Sequence, residues 1–315
     1  MSGRPARVTL VEVGPRDGLQ NEPAPISTAD KIALIDALAA AGHARIEAGA
    51  FVSAKWVPQM ADAEAVFAGI TRKPGVRYSA LVPNLAGLER AAAAGVTDIA
   101  VFAAASETFS RRNINASIAD SLARYAEVAA SALAGGMRVR GYVSTAFGCP
   151  FEGRVEPARV IDVTKALFAM GAEEVAISDT IGIAHPGQVR SLGAELASGL
   201  PTVERAALAM HFHDTRGTAL VNVYAAMAEG ISTFDCSAGG LGGCPYAPGA
   251  AGNLATEDLL FMLDGMAIST GVDRATVAAA SRALESKLGH PLPSRLLQAD
   301  HAARRSADNS KTPKD

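Results

Sequence analysis

The segment Ala207-Leu208-Ala209-Met210-His211-Phe212-His213-Asp214 is apolar and strand-like except for two histidines one residue apart. Side chains alternate along a strand, so His211 and His213 leave the same face. Working outward, comparable β-rich runs recur at 8–14, 45–51, 77–83, 98–105, 138–147, 174–180 and 233–238, which brings the number to eight. Between them, 29–41, 56–70, 85–94, 118–134, 157–170, 186–198 and 218–228 carry helical spacing, several closed by a glycine (Gly42, Gly95, Gly171, Gly230). Strict alternation of strand and helix predicts parallel strands with right-handed crossovers, and eight units over about 240 residues predict a closed (β/α)8 TIM barrel. A doubly wound open sheet fits less well, because Gly14-Pro15-Arg16-Asp17-Gly18 after the first strand is not a phosphate-binding glycine loop. Two further helices are expected at 256–269 and 273–288. The reading is therefore a single catalytic barrel domain with C-terminal helices over 1–299 and a charged, flexible tail over 300–315.

The totals narrow the function. A chain of 315 residues, 49% of them hydrophobic, can bury one large core. A formal net charge of −3 and no basic stripe beyond Arg111-Arg112 exclude a nucleic-acid surface and favour a small-molecule partner. Cys149, Cys236 and Cys244 form neither an even framework nor a Cys-x-x-Cys pair, which suits a reducing compartment and leaves room for a functional thiol. Seven residues precede the first apolar run, too few for a leader peptide, and no apolar stretch reaches the roughly 18 residues of a membrane span. A cytoplasmic protein with no membrane partner is expected.

In a barrel the reactive side chains gather at the C-terminal ends of the strands. That places Arg16 and Asp17 after the first strand, Glu47 in the second, and His211 with His213 in the seventh. The eighth leads into Gly239-Gly240-Leu241-Gly242-Gly243-Cys244-Pro245-Tyr246. His-x-His alone is a weak pattern, since a strand histidine is more often packed than ligating. Two on one face, facing a carboxylate across the same mouth, form a set that suits Mg²⁺, Mn²⁺, Fe²⁺ or Zn²⁺ with open positions. Arg16 beside Asp17 could stabilise an oxygen as negative charge develops on it, and Cys244 on a glycine loop suits proton transfer or nucleophilic attack. Cys149 and Cys236 read as packing. The six glycines in 239–252 are read as flexibility, giving a loop that closes when substrate binds.

Together the motifs VEVGPRDGLQNE (11–22), IEAGAFVSAKWVPQM (46–60), ASETFSRRNIN (105–115), RGYVSTAFGCPFEG (140–153), SDTIG (178–182), HFHDTRGTAL (211–220) and GGLGGCPYAPGAAGNLATED (239–258) resemble the 3-hydroxy-3-methylglutaryl-CoA lyase family of metal-dependent barrel lyases. The likeness spans nearly the whole chain. Related synthases resemble it in the Arg-Asp strand end and the His-x-His strand, but typically have Asn-Asp after the second histidine. Arg216 and Ala50 depart from the family, where tyrosine and serine are frequent.

The resemblance implies retro-Claisen cleavage of 3-hydroxy-3-methylglutaryl-CoA to acetyl-CoA and acetoacetate. It implies Mg²⁺ or Mn²⁺ held by Asp17, His211, His213 and Asn253, with Arg16 on the enolate, Cys244 in proton transfer and Glu47 organising the metal's surroundings. Gln20, Asp179 and Glu257 match family positions of less defined role, and a homodimer is implied. Alternatives are the same cleavage of a longer 3-hydroxy-3-alkylglutaryl-CoA, such as the isohexenyl compound, or condensation by a related synthase.

Overall fold

The computed structural model describes residues 4–244 and 247–311, the side chains of 244, 247–250 and 304–311 excepted. Eight parallel strands close into a barrel in sequence order: β1 Thr9–Glu12, β2 Arg45–Ala50, β3 Arg77–Leu81, β4 Asp98–Ala104, β5 Arg138–Ser144, β6 Glu174–Asp179, β7 Leu208–Phe212 and β8 Thr233–Cys236. The seam is sealed by β1 on β8, with Val11 opposite Asp235 and Glu12 opposite Cys236. Each strand lies inside a run expected from the sequence. Closure leaves no sheet edge, so every strand has two hydrogen-bonded neighbours.

Helices ring the barrel: α1 Thr28–Ala40, α2 Ala63–Gly69, α3 Leu85–Ala93, α4 Glu107–Ile114, α5 Ile118–Ala134, α6 Pro157–Ala169, α7 Pro186–Gly199, α8 Thr202–Ala206, α9 Ala219–Ala228, α10 Thr256–Gly265, α11 Arg274–Leu288 and α12 Arg295–Lys311. Their starts follow local chemistry, as where Ser27, Asn84 and Asp273 accept from the amides of Asp30, Gly87 and Thr276. The four glycines expected to end helices all have left-handed φ, between 70° and 102°. At Gly42 a side chain would also run into the Gly271 carbonyl.

Three expectations change. Residues 56–70 are not one helix: a short 3₁₀ turn, Pro58–Met60, precedes α2. Pro58 offers no amide donor, and Gln59 turns its side chain onto the Glu22 carbonyl at 3.0 Å, pinning the turn to the segment after β1. The short helices α4 and α8 were not expected. Beyond Leu288, secondary structure continues through residue 300, where a tail was expected to start. Asp258 caps α12 by accepting from the amides of Arg295 and Leu296, both at 2.9 Å, and Arg282–Asp300 and Glu285–His301 contacts tie its first turns to α11. Among the described residues no helix is long and apolar enough to cross a membrane.

The strand period of two makes the inside of this barrel unusually polar. In β5 the inward row is Arg138, Arg140, Tyr142 and Ser144, while Val139 and Val143 pack outward. Arg45, Arg77, Asp98 and Arg140 line the small space at the N-terminal end, and Tyr142, Ser144, Ser178 and His211 line the open pocket at the other. The apolar core lies in the layer between strands and helices.

Candidate active site

The turn after β1 presents Arg16 and Asp17. The Val13 carbonyl gathers three successive amides, those of Arg16 (3.2 Å), Asp17 (2.8 Å) and Gly18 (3.2 Å), forming one wide π-helical turn. A Cβ on Gly14 would come within 2.6 Å of the Glu12 carboxylate and displace it, so glycine there lets Glu12 stay in place. From beneath, buried Glu12 accepts from the amides of Gly14 (2.8 Å) and Ala238 (2.9 Å) and from the Thr256 hydroxyl (2.7 Å), so one carboxyl ties this turn to the start of the β8 loop.

Asp17, His211 and His213 bring donor atoms within 4.8 Å of one another. The Asn253 amide nitrogen donates to Asp17 Oδ2 and to the Leu241 carbonyl, both at 3.0 Å, which leaves its Oδ1 buried with no partner. His213 Nδ1 is likewise buried and unpartnered. Such atoms cost free energy unless something fills them. His211 is oriented differently: its Nδ1 lies 3.1 Å from Asp235 Oδ2, so Nε2 faces Asp17 at 3.9 Å. A carboxylate, two imidazoles and an amide oxygen, two of them otherwise orphaned, fit a divalent cation.

Electrostatics separates the two histidines. Burial, with His211 beside it, holds His213 down at about 3, so it is a neutral donor. Burial also pushes His211 down, but the Asp235 hydrogen bond and charge outweigh it and raise the ring's affinity for a proton. Burial pushes Asp17 up, yet Arg16 and the two histidines pull its carboxyl down to about 2, leaving it an anion.

Arg16 is 7% exposed and triply held. Its Nη1 meets Asp17 Oδ1 at 2.5 Å, its Nε donates to Glu47 Oε1, and its guanidinium stands over the Tyr142 ring, 5.8 Å from the centroid. The other Glu47 oxygen accepts from the Tyr142 hydroxyl at 2.7 Å. Glu47 thus touches Arg16 and Tyr142 and fixes the guanidinium plane. The pocket is lined by Arg16, Asp17, Gln20, Asn21, His211 and His213 on one side, and by Leu81, Phe102 and Phe109 on an apolar flank.

Of the residues singled out in the sequence, Arg16, Asp17, Gln20, His211 and His213 line one pocket, with Asn253 and Glu47 directly behind. Asp179 instead accepts from the amides of Ile183 (3.0 Å) and Ala184 (2.9 Å), shaping the loop after β6, and Arg216 braces the same loop through the Ile181 and Gly182 carbonyls. Glu257, 0% exposed, holds the Gly239 amide at 2.8 Å and the Ser281 hydroxyl, away from the pocket.

The Cys244 side chain lies outside the described residues; its backbone forms a short antiparallel ribbon, β9 Gly243–Cys244 with β10 Ala247–Ala251. The glycines before it are not slack. Gly239, Gly240 and Gly242 have φ of 67°, 74° and 104°, and a Cβ on Gly242 would meet the Asn253 amide nitrogen at 2.7 Å. They allow tight turns and close packing. The sequence reading missed Asp235, Arg140 and Tyr142. The available signal was charge on the inward face of apolar strands, since buried charges are rarely unpaired.

The fold and the pocket define a barrel whose strand ends gather a carboxylate, two imidazoles and a guanidinium, and the chain belongs to the HMGL-like family, which matches residues 7–284. It is 54% identical over 295 residues to the 3-hydroxy-3-isohexenylglutaryl-CoA/hydroxy-methylglutaryl-CoA lyase of Pseudomonas aeruginosa, covering 94% of this chain and 97% of that protein. With the hydroxymethylglutaryl-CoA lyase of Pseudomonas mevalonii it shares 52% identity over 282 residues, 90% and 93% of the two chains. The crystal structure of hydroxymethylglutaryl-CoA lyase from Pseudomonas aeruginosa superimposes with a TM-score of 0.92 at 53% identity, covering 95% of this chain and 99% of that one.

Proposed function

We propose that this protein is a divalent-cation-dependent carbon–carbon lyase that cleaves 3-hydroxy-3-methylglutaryl-CoA to acetyl-CoA and acetoacetate. The observation that carries the reading is the convergence of Asp17, His211 and His213 with the unpartnered Asn253 Oδ1, beside Arg16, in a chain of this family. Asp17, His211, His213 and Asn253 would hold the cation, Mg²⁺ or Mn²⁺. When bound, it supplies Lewis acidity that makes the substrate's 3-hydroxyl easier to deprotonate.

The reaction breaks the C2–C3 bond: the hydroxyl proton leaves to a base, C3 becomes the ketone of acetoacetate, and the bonding pair passes to C2 as a thioester enolate. Arg16 offsets the charge arising on the thioester oxygen, and Glu47 and Tyr142 hold its guanidinium in place beforehand, so little reorganisation is left for the reaction itself. Cys244 delivers the proton that C2 needs, a role open to a thiol because thiols exchange protons near neutrality. Leu81, Phe102 and Phe109 offer an apolar flank for the alkyl group at C3. That flank, together with the double name of the Pseudomonas aeruginosa relative, favours as a second reading the same cleavage of 3-hydroxy-3-isohexenylglutaryl-CoA.

The test is turnover of both thioesters by metal-stripped protein with Mg²⁺ or Mn²⁺ restored. Cleavage only with cation supports the proposal, and cation binding without cleavage of either thioester overturns it. Cys244→Ser should depress kcat far more than thioester affinity; normal turnover would place the proton donor elsewhere. We also infer a cytoplasmic homodimer. Free buried thiols at Cys149 and Cys236 support the reducing setting and the family likeness supports the pairing, which sedimentation equilibrium would check.

A further inference from the structure

The geometry points to Arg140 as a positioning residue that braces both halves of the reaction centre, the histidine of the proposed cation site on one side and the Arg16 guanidinium on the other. The inference rests on the proposed lyase reading for its kinetic arm only. Arg140 is 4% exposed, in the middle of β5, and all three nitrogens of its planar fork are engaged. Nη2 donates to Asp235 Oδ1 at 2.7 Å and Nη1 approaches Asp235 Oδ2 at 3.3 Å. Nε donates to Glu174 Oε1 at 2.7 Å, and Nη1 also donates to the Tyr142 hydroxyl.

Each of those contacts leads somewhere. Asp235 meets His211 Nδ1 at 3.1 Å, so the Arg140–Asp235 pair decides which imidazole nitrogen faces Asp17. The Tyr142 hydroxyl, having accepted from Arg140, donates to Glu47, and Glu47 holds Arg16 Nε. The same guanidinium lies over the Tyr142 ring at 4.7 Å, with Arg16 5.8 Å from that centroid. Glu174 anchors the base of the chain, gripped in two places by Arg45 at 2.7 and 2.9 Å. Lysine could keep the charge at residue 140 but could not serve Asp235, Tyr142 and Glu174 in one plane.

A purely structural brace would lower stability and leave the surviving folded protein's properties unchanged. A shared positioning role splits instead into two separable readouts: Mn²⁺ affinity, measured by calorimetry without substrate, and kcat for 3-hydroxy-3-methylglutaryl-CoA at saturating Mn²⁺. Asp235→Asn should weaken Mn²⁺ binding by roughly 10- to 100-fold, the usual cost of losing a ligand's outer partner, while changing kcat less. Tyr142→Phe should leave Mn²⁺ affinity within about twofold and lower kcat by about tenfold, the scale of one hydrogen bond to a charged group. Arg140→Lys should do both.

The double variant Arg140→Lys with Tyr142→Phe should lose no more kcat than the worse single change, because one chain of contacts is being cut twice. If folded Arg140→Lys moves only one readout or neither, or if the losses multiply, the inference is overturned. Should Arg140→Lys not fold, the pair Tyr142→Phe and Asp235→Asn carries the test. With Arg140 linking them, the kcat loss from Tyr142→Phe should shrink in the Asp235→Asn background, and simple multiplication would overturn it. Wild-type protein that cleaves no thioester would instead defeat the lyase reading, and the Mn²⁺ readout would still decide the metal arm.

Discussion

Two buried acidic regions flank the turn after β1 and behave in opposite ways. Below it, Glu12 and Glu257 hold backbone at the root of the β8 loop; burial pushes them up to about 8 and about 7, and hydrogen bonds from hydroxyls and amides only partly offset that. Above it, Asp235 is also buried and Asp17 mostly so, yet Asp17 is held at about 2 and Asp235 well below the carboxylate range, because Arg16 and Arg140 face them. Burial is common to both regions. What differs is a guanidinium, and the comparison shows that amides and hydroxyls can satisfy a buried carboxyl without keeping it charged. Even the His43–Glu12 contact at 3.6 Å joins two uncharged groups near neutrality, since burial holds His43 down at about 3. The barrel thus keeps carboxyls anionic beside guanidinium groups at the pocket and uses protonated ones as fasteners behind it.

The sharpest way to break this division is to remove charge from the pocket region. Asp17→Asn keeps shape but deletes the anion shared by Arg16, Asn253 and the two histidines. It is expected to weaken Mn²⁺ binding by more than the roughly 10- to 100-fold typical of outer contacts, and to abolish turnover at ordinary metal concentrations. Calorimetry and a thioester assay check both; wild-type metal content with full turnover would remove Asp17 from the site. Next in size is Arg16→Lys, which keeps a positive charge but loses the fork shared by Glu47 and Asp17. The expected result is about a 10²-fold fall in kcat at saturating Mn²⁺, with Mn²⁺ affinity changed far less. A large affinity loss with near-normal kcat would show that Arg16 serves the metal rather than the developing enolate.

How these residues could be read from sequence follows the same line. The eight strands were legible because each is a short apolar run bounded by turn residues, and Asp17, His211 and His213 because barrel chemistry collects at strand ends. Asn253 was reached only through family resemblance, since asparagine among glycines ordinarily signals a turn, whereas Cys244 stood out by its place on a glycine-rich loop rather than in the core. Arg140, Tyr142 and Asp235 were not reached. Their partners lie up to 95 residues away and become neighbours only when β5, β2 and β8 face one another across the barrel. Glu12 sat inside a quoted motif, but its role depends on the Ala238 amide, which closure of β1 on β8 brings beneath it. The glycines of 239–252 were legible as special, and at Gly239, Gly240 and Gly242 a left-handed φ adds a reason that a glycine count does not supply.

The smallest expected effect tests the fastener region on its own terms. Glu257 has a folded-state value of about 7 against an ordinary 4.5, so between those two values the native protein binds more protons than the unfolded chain. Stability from this group is therefore fully present below about pH 4.5 and is lost as pH rises through about 7. Glu12, raised to about 8, acts in the same direction over a slightly wider window. Glu257→Gln replaces the neutral acid with a neutral amide of the same shape, still able to accept from the Gly239 amide and to meet the Ser281 hydroxyl. Near pH 5.5 the variant should melt within a few degrees of the wild type, a cost of about 1 kcal/mol or less. Between pH 5.5 and 8.5 the wild type should lose more of its Tm than the variant, so the gap narrows or reverses. A gap that widens as pH rises would mean that Glu257 is charged and paired in the folded state, and the contrast between the two acidic regions would fall.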